Sequence, residues 1–102
     1  MEVKFIKIEY PVEYVALVKF SNPPVNAHSQ ELLSETSLVF DWLSDKNEIR
    51  AVVLTGEGKC FCAGADIKER MTAVPEPGDH WQNSRRAREA YHSIMECQVP
   101  VI

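Results

Sequence analysis

Hydrophobic and polar positions alternate near the start of the chain, as they do in a half-buried strand. Ile6–Tyr10 alternates apolar with charged residues, and Tyr14–Phe20 is a second stretch rich in residues that favour strands. A short turn at Pro11–Glu13 would join the two stretches as a hairpin. Ser21–Pro24 should end the second strand, because neither of its prolines can donate to a ladder.

The period becomes helical after about Ser29 and stays so to about Lys46. The apolar side of this predicted helix is formed by Leu32, Leu33, Thr36, Val39, Phe40 and Leu43. Asn26 or Ser29 supplies the N-cap. The apolar run Ala51–Thr55 follows as a buried strand. Strand, helix and strand in this order form a βαβ unit, which predicts parallel strands.

The last third of the chain predicts shorter elements. We expect a brief strand at Cys60–Phe61, a helical turn at Ile67–Met71, a mobile loop at Thr72–Asp79 and a helix at about Trp81–Glu96. The apolar stripe of that helix is Ala87, Ala90, Tyr91, Ile94 and Met95. Val99–Ile102 reads as the first residues of another strand. We therefore expect residues 1–102 to be the N-terminal part of a larger domain, interrupted within a strand at Ile102.

Composition narrows the class of protein. The 102 residues include 45% hydrophobic and 25% charged residues, with a net charge of -4. No basic stripe favours nucleic acid, and no apolar run approaches the roughly 20 residues of a membrane span. The N-terminus lacks the pattern of a signal peptide. We expect a cytoplasmic protein, with the mitochondrial matrix as the alternative if a transit peptide has been removed.

The three cysteines, Cys60, Cys62 and Cys97, do not have the spacing of a zinc site or a disulfide framework. We expect no metal, and we assign the cysteines to packing. His28 lies near a helix start, where a capping or surface role is expected in preference to the alternative of catalysis. A basic cluster in the second helix, at positions 85–88, is expected to form a solvated face, with attraction for phosphates as the alternative.

The segment Lys59–Lys68 contains the most informative chemistry. A strand ends, the small residues at positions 63–65 make a tight turn, and a helix begins. Such a turn lets a ligand approach the backbone and can aim an N–H at a carbonyl oxygen that becomes negative during reaction. The alternative is that Gly64 only permits the turn and Asp66 only caps the helix.

Three motifs in a fixed order favour the first interpretation, in which a ligand approaches the backbone of this turn. They are NPPVNA at 22–27, VVLTGEGK at 52–59 and CFCAGADIK at 60–68. In this order they resemble the N-terminal portion of the crotonase (enoyl-CoA hydratase/isomerase) superfamily, and the resemblance extends over Val15–Ile102. It implies an α/β fold, a crotonase-like spiral of repeated ββα units of which this chain is the first portion.

The resemblance also implies site residues. The backbone N–H of Ala65 would be one of two donors to the thioester oxygen, and the backbone at Ala63 would meet the adenine of coenzyme A. The implied CoA-binding residues are Val25, Ala63, Gly64, Ala65, Asp66, Ile67 and Lys68. The second donor and the acid–base carboxylates of the family would lie beyond Ile102.

The implied function is hydration of a 2-enoyl-CoA through a thioester enolate held in a backbone oxyanion hole. Isomerisation, thioester hydrolysis and decarboxylation are alternatives on the same scaffold. The resemblance implies an acyl-CoA substrate, no tightly bound cofactor, and a homotrimer or a pair of trimers. It also predicts no hydratase activity from residues 1–102 alone. A non-catalytic CoA-binding or interaction protein is the rival from another class. A ClpP-type serine protease shares the spiral, but no nucleophile turn of the Gly-x-Ser-x-Gly kind is present.

Overall fold

A computed structural model describes residues 1–72 and 76–102. Three strands form one sheet in the order β1 (Ile6–Val12), β2 (Val15–Phe20) and β3 (Ala51–Gly56). β1 and β2 are antiparallel, whereas β2 and β3 are parallel. The predicted hairpin and the predicted βαβ crossover are both confirmed, and they share β2.

The turn of the hairpin differs from the prediction by two residues. β1 continues through Pro11 to Val12, and the turn consists of Glu13 and Tyr14. The pairing register shifts between Glu9 and Val12. Proline is tolerated here because β1 is an edge strand, so its missing N–H removes no bond to a neighbouring strand.

Helix α1 (Gln30–Ser44) covers one face of the sheet and supplies much of the core. Ser29, rather than Asn26, is its N-cap: the Ser29 hydroxyl accepts a hydrogen bond from the Leu32 N–H at 3.1 Å. All six apolar-face residues predicted for this helix are buried. The core cluster joins α1 to the sheet through Ile6, Ala16, Val18, Phe20, Leu32, Val39, Phe40, Leu43, Ile49 and Val52.

Two further helices follow, α2 (Ile67–Thr72) and α3 (Asp79–Met95), and α3 packs against α1. The predicted stripe of α3 is only partly correct. Ala90 is fully buried, but Tyr91 is 44% and Met95 79% exposed, so the helix buries less of the stripe than predicted. Of the predicted mobile loop, Thr72 ends α2 and Asp79 begins α3, and residues 73–75 lie outside the described residues.

The last residues lie against the sheet. Val101 forms a parallel bridge to Val52, supported by a hydrogen bond from the Val52 N–H to the Pro100 carbonyl (2.9 Å) and one from the Ile102 N–H to the Val52 carbonyl (2.9 Å). β3 is therefore bonded on both sides. This agrees with the expected start of a strand after Val99.

Candidate functional site

The tight turn after Cys60 is held in place mainly through its own backbone. The Ala63 N–H donates to the carbonyl of Val25 at 3.1 Å, and the Gly64 N–H contacts the thiol sulfur of Cys62 at 3.2 Å. Val25 and Ala63, both implied as CoA-binding residues, are thus brought together. Both of these N–H groups are occupied within the protein.

His28 pairs with the next part of the turn as a short parallel bridge opposite Ala65. The His28 N–H donates to the Gly64 carbonyl at 2.7 Å, and the His28 carbonyl accepts from the Asp66 N–H at 3.2 Å. In a parallel bridge, the residue between the two bonded neighbours directs its own N–H to the opposite side. Within residues 1–72 and 76–102, the Ala65 N–H has no hydrogen-bond partner, and Ala65 is exposed.

Gly64 has the backbone conformation that the turn requires. Its φ is +96°, a region that side chains disfavour, and a Cβ built on it would meet no described atom within 4 Å. The glycine is therefore needed for chain direction, and the space beside it is open. A ligand can approach the backbone from that side.

The side chain of Asn26 fixes the segment that leads into the turn. The residue is 1% exposed, and its side-chain amide donates to the carbonyls of Glu57 at 3.0 Å and Cys60 at 2.6 Å. Its Oδ1 accepts from the Asn22 N–H at 2.8 Å. The φ of Asn26 is 56°, which asparagine tolerates better than most residues. Asn26 is thus a buried link between segments and not the predicted cap of α1.

Cys60 and Phe61 do not form the predicted strand. They pass so close to the end of β3 that a Cβ on Gly56 would lie 2.5 Å from the Cys60 carbonyl oxygen and 2.6 Å from that of Phe61. The Cys60 carbonyl accepts from the side-chain amide of Asn26 instead of from a neighbouring strand. The sequence signal for this close approach is the glycine at position 56, at the end of β3.

The start of α2 is tied to α1. The Asp66 carboxylate accepts from the Glu69 N–H at 3.1 Å, as expected of a helix cap. Glu69 reaches a different helix: its carboxylate accepts from the Gln30 N–H at 3.2 Å, at the positive end of α1. Ile67 is 68% exposed and Lys68 is also exposed, so both side chains lie at the surface next to the turn.

His28 is buried, which corrects the expected capping or surface role. The side chain is 6% exposed, its ring meets Phe20 edge-on at 4.8 Å between centroids, and Nδ1 lies 3.0 Å from the hydroxyl of Tyr91. Nε2 has no partner among the described residues. Burial lowers the pKa of His28 below its ordinary 6.5, so the ring is neutral at pH 7.

The cysteines are free thiols of intermediate exposure. Cys97 packs against the core, whereas Cys62 contributes its sulfur to the turn. In the part of the chain that the structure describes, no three His, Cys, Asp or Glu side chains are grouped as metal ligands. No helix among the described residues is long and apolar enough to cross a membrane.

The basic cluster of α3 is partly engaged. The guanidinium of Arg86 donates to the side-chain carbonyl of Gln30 at 3.0 Å. Arg85 and Arg88 border a groove between α1 and α3 together with Asp41 and Glu89. These arginines therefore lie among acidic residues, as a solvated face would.

Comparison with known proteins identifies the family to which this chain is similar. The sequence profile described as Enoyl-CoA hydratase/isomerase matches residues 12–102. The Bacillus subtilis protein named "Probable enoyl-CoA hydratase" is 33% identical over 90 residues, which are 88% of this chain and 34% of that protein. The rat protein named "Enoyl-CoA delta isomerase 1, mitochondrial" is 43% identical over 70 residues, 67% of this chain and 24% of that protein.

Solved structures agree with the sequence comparison. The crystal structure of an enoyl-CoA hydratase from Bacillus anthracis superposes with a TM-score of 0.87 and 27% identity, covering 96% of this chain and 38% of that one. The chain belongs to the enoyl-CoA hydratase/isomerase family, and its α/β fold matches part of the crotonase fold. It spans about a third of the length of the Bacillus subtilis relative.

Proposed function

We propose that the turn at 63–66 is the first half of an oxyanion hole for an acyl-CoA thioester, and that the enzyme carrying it hydrates 2-enoyl-CoA. The observation that supports this most is the unpartnered N–H of Ala65. Of the four N–H groups from Ala63 to Asp66, it is the one without a partner among the described residues. An exposed donor fixed on both sides suits an oxygen that becomes negative.

In the proposed reaction, water adds its oxygen to C3 of the enoyl group and a proton to C2. Electron density moves to the thioester oxygen as the C3–O bond forms, and the N–H of Ala65 donates to that oxygen. Because the donor already points outward, little reorganisation is needed when the charge develops. Coenzyme A enters as part of the substrate, and the proposal needs no tightly bound cofactor.

The remaining predicted residues belong to the same turn, to the segment bonded to it and to the start of α2. Val25 and Ala63 are joined through their backbones, and the space beside Gly64 is open. We propose that the CoA moiety runs past these residues and along Asp66, Ile67 and Lys68. Residues 1–102 supply one donor and no assigned acid–base carboxylate, so we expect no hydratase turnover from them alone. We also propose that the complete enzyme forms trimers or pairs of trimers, which sedimentation would test.

Isomerisation of an enoyl-CoA is the second candidate, because the relative from rat is named as a delta isomerase. The two are separated by supplying the complete enzyme with a 2-enoyl-CoA and with a 3-enoyl-CoA and identifying the products. Formation of a 3-hydroxyacyl-CoA from the 2-enoyl substrate supports hydration. Migration of the double bond without uptake of water would favour the isomerase, and turnover of neither substrate would refute the proposed function.

A further inference from the structure

His28 contacts the Ala65 turn through its backbone and α3 through its side chain. Its N–H and carbonyl bond the residues on each side of Ala65, at 2.7 Å and 3.2 Å. Any rotation of the His28 peptide units would therefore turn Gly64 and Asp66, and the Ala65 N–H between them. The direction of the proposed donor depends on how firmly His28 is held.

The side chain of His28 is fixed by two neighbours. The edge of the ring lies against the buried Phe20, and Nδ1 is hydrogen-bonded to the Tyr91 hydroxyl at 3.0 Å. Since Nε2 has no partner among residues 1–72 and 76–102, Tyr91 is the hydrogen-bond partner of the ring within that part of the chain. A buried polar atom loses much when its partner is removed.

Direct participation of His28 in the reaction does not fit its surroundings. The residue is 6% exposed, and the Ala65 N–H points away from the His28 backbone to which the turn is bonded. A neutral ring also offers no positive charge to an oxyanion, and burial keeps the pKa of His28 low. Its role is to hold other groups in place.

We propose that His28 is a positioning residue for the N–H of Ala65, and that Tyr91 of α3 holds it there through Nδ1. The proposal rests on the proposed oxyanion function and adds to it the two residues that fix the donor's direction. It also connects α3 to the reacting centre, because a shift of Tyr91 reaches Ala65 through one side chain and two backbone hydrogen bonds.

The test uses the complete enzyme that carries this sequence. Tyr91→Phe removes only the hydroxyl, and His28→Leu removes the ring nitrogens. We expect each to lower kcat about tenfold or more with KM changed little, because misplacement of a catalytic group by about 1 Å can cost on the order of a hundredfold. Tyr14→Phe, in the distant hairpin turn, is the matched control and should leave kcat unchanged.

Two amide replacements separate the ring nitrogens. His28→Asn puts an amide near the position of Nδ1, and His28→Gln puts one near that of Nε2. The proposal expects His28→Asn to recover most of the kcat that His28→Leu loses, and His28→Gln to recover little. Equal recovery by both, or by neither in folded enzyme, would overturn the assignment to Nδ1.

The double variant tests whether Tyr91 acts through His28. If it does, Tyr91→Phe should add little to the loss in His28→Leu, since two residues in one chain of contacts are not additive. Fully additive losses would show that Tyr91 acts on the substrate independently, and would overturn this part of the proposal.

A spectroscopic measurement distinguishes this proposal from the proposed function. Hydrogen bonding to the thioester carbonyl lowers its infrared stretching frequency, which is read with a carbonyl-labelled acyl-CoA bound to the enzyme. We expect a shift in the wild type that is reduced in Tyr91→Phe and His28→Leu. A wild-type shift that both variants retain in full would overturn the positioning role alone. No shift in the wild type would refute the oxyanion function on which it rests.

Discussion

The side-chain amide of Asn26 donates to the backbone carbonyl of Cys60 at 2.6 Å, across a partly buried contact 34 residues apart in sequence. The same amide donates to the carbonyl of Glu57 at 3.0 Å. One asparagine therefore joins the segment before α1 to the segment that follows β3. The proposed oxyanion turn begins directly after this contact, so its placement depends on Asn26.

Replacing the Asn26 amide by an isosteric carboxylate should destabilise the fold. In Asn26→Asp both N–H donors are lost, and negative oxygens face two carbonyl oxygens in a site that is 1% exposed. Leaving buried polar groups unpaired costs about 1–3 kcal/mol each, so we expect a loss of roughly 3 kcal/mol in unfolding free energy. Denaturant unfolding measures it, with the exposed Asn47→Asp as the control for charge. Equal stability of the two variants would contradict the assigned role.

A methyl group at Gly64 should obstruct the ligand more than it harms the fold. Gly64→Ala and Gly58→Ala share the same backbone strain, since φ is +96° and +83°, and a Cβ at either site meets no described atom within 4 Å. Strain at such a position costs about 1–2 kcal/mol in both variants. Only Gly64→Ala should also weaken binding of a CoA thioester, by roughly tenfold, the effect of about 1.4 kcal/mol of overpacking. Calorimetry that gives the same dissociation constant for both variants would remove Gly64 from the binding surface.

The buried His28 predicts how stability depends on pH. Burial lowers its pKa in the folded state below the ordinary 6.5, whereas the unfolded chain keeps the ordinary value. Below about pH 6.5 the unfolded state binds more protons, so stability falls as pH falls through 6.5 towards the lowered pKa. His28 shares a small cavity with Asp66, Glu69 and Arg70, whose charges also affect stability. The protonation of the His28 ring itself is therefore followed by NMR.

His28→Asn tests this dependence against His80→Asn, which changes an exposed histidine. Melting temperatures measured between about pH 7.5 and about pH 5 should fall less steeply for His28→Asn than for the wild type, while His80→Asn should follow the wild type. If all three proteins lose stability in parallel, and the NMR titration of His28 gives an ordinary pKa, then the ring is not buried as described.

Periodicity was sufficient for the larger elements of this fold. The six apolar positions of α1 follow helical spacing, and the run Ala51–Thr55 is continuous, so a local pattern identifies both. The hairpin turn was misplaced because proline at Pro11 disrupts a central strand but not an edge strand. Whether a strand lies at the edge is decided by tertiary structure, which periodicity does not contain.

The candidate site, too, was predicted from the sequence only in part. The small residues at 63–65 and the three motifs indicated the turn and its family. The roles of Asn26 and His28 were missed, because both depend on contacts made by residues more than 30 positions away. Asparagine and histidine near a helix start are common caps, and nothing local distinguishes a buried one. For Gly56, the close approach of Cys60 could have been suspected from a glycine at a strand end.

The N–H of Ala65 is the central claim, and exchanging one backbone amide for an ester tests it most directly. Incorporating the hydroxy-acid analogue of alanine at position 65 in the complete enzyme removes this N–H and keeps the side chain. The same exchange at Ala63 is the control, because it removes an N–H that donates to Val25 instead. Hydration of a 2-enoyl-CoA is the readout. We expect the ester at 65 to lower kcat by about 10²–10³-fold, the usual loss for one oxyanion donor, and the ester at 63 to lower it only a few-fold. Equal kcat values for the two esters would contradict the account.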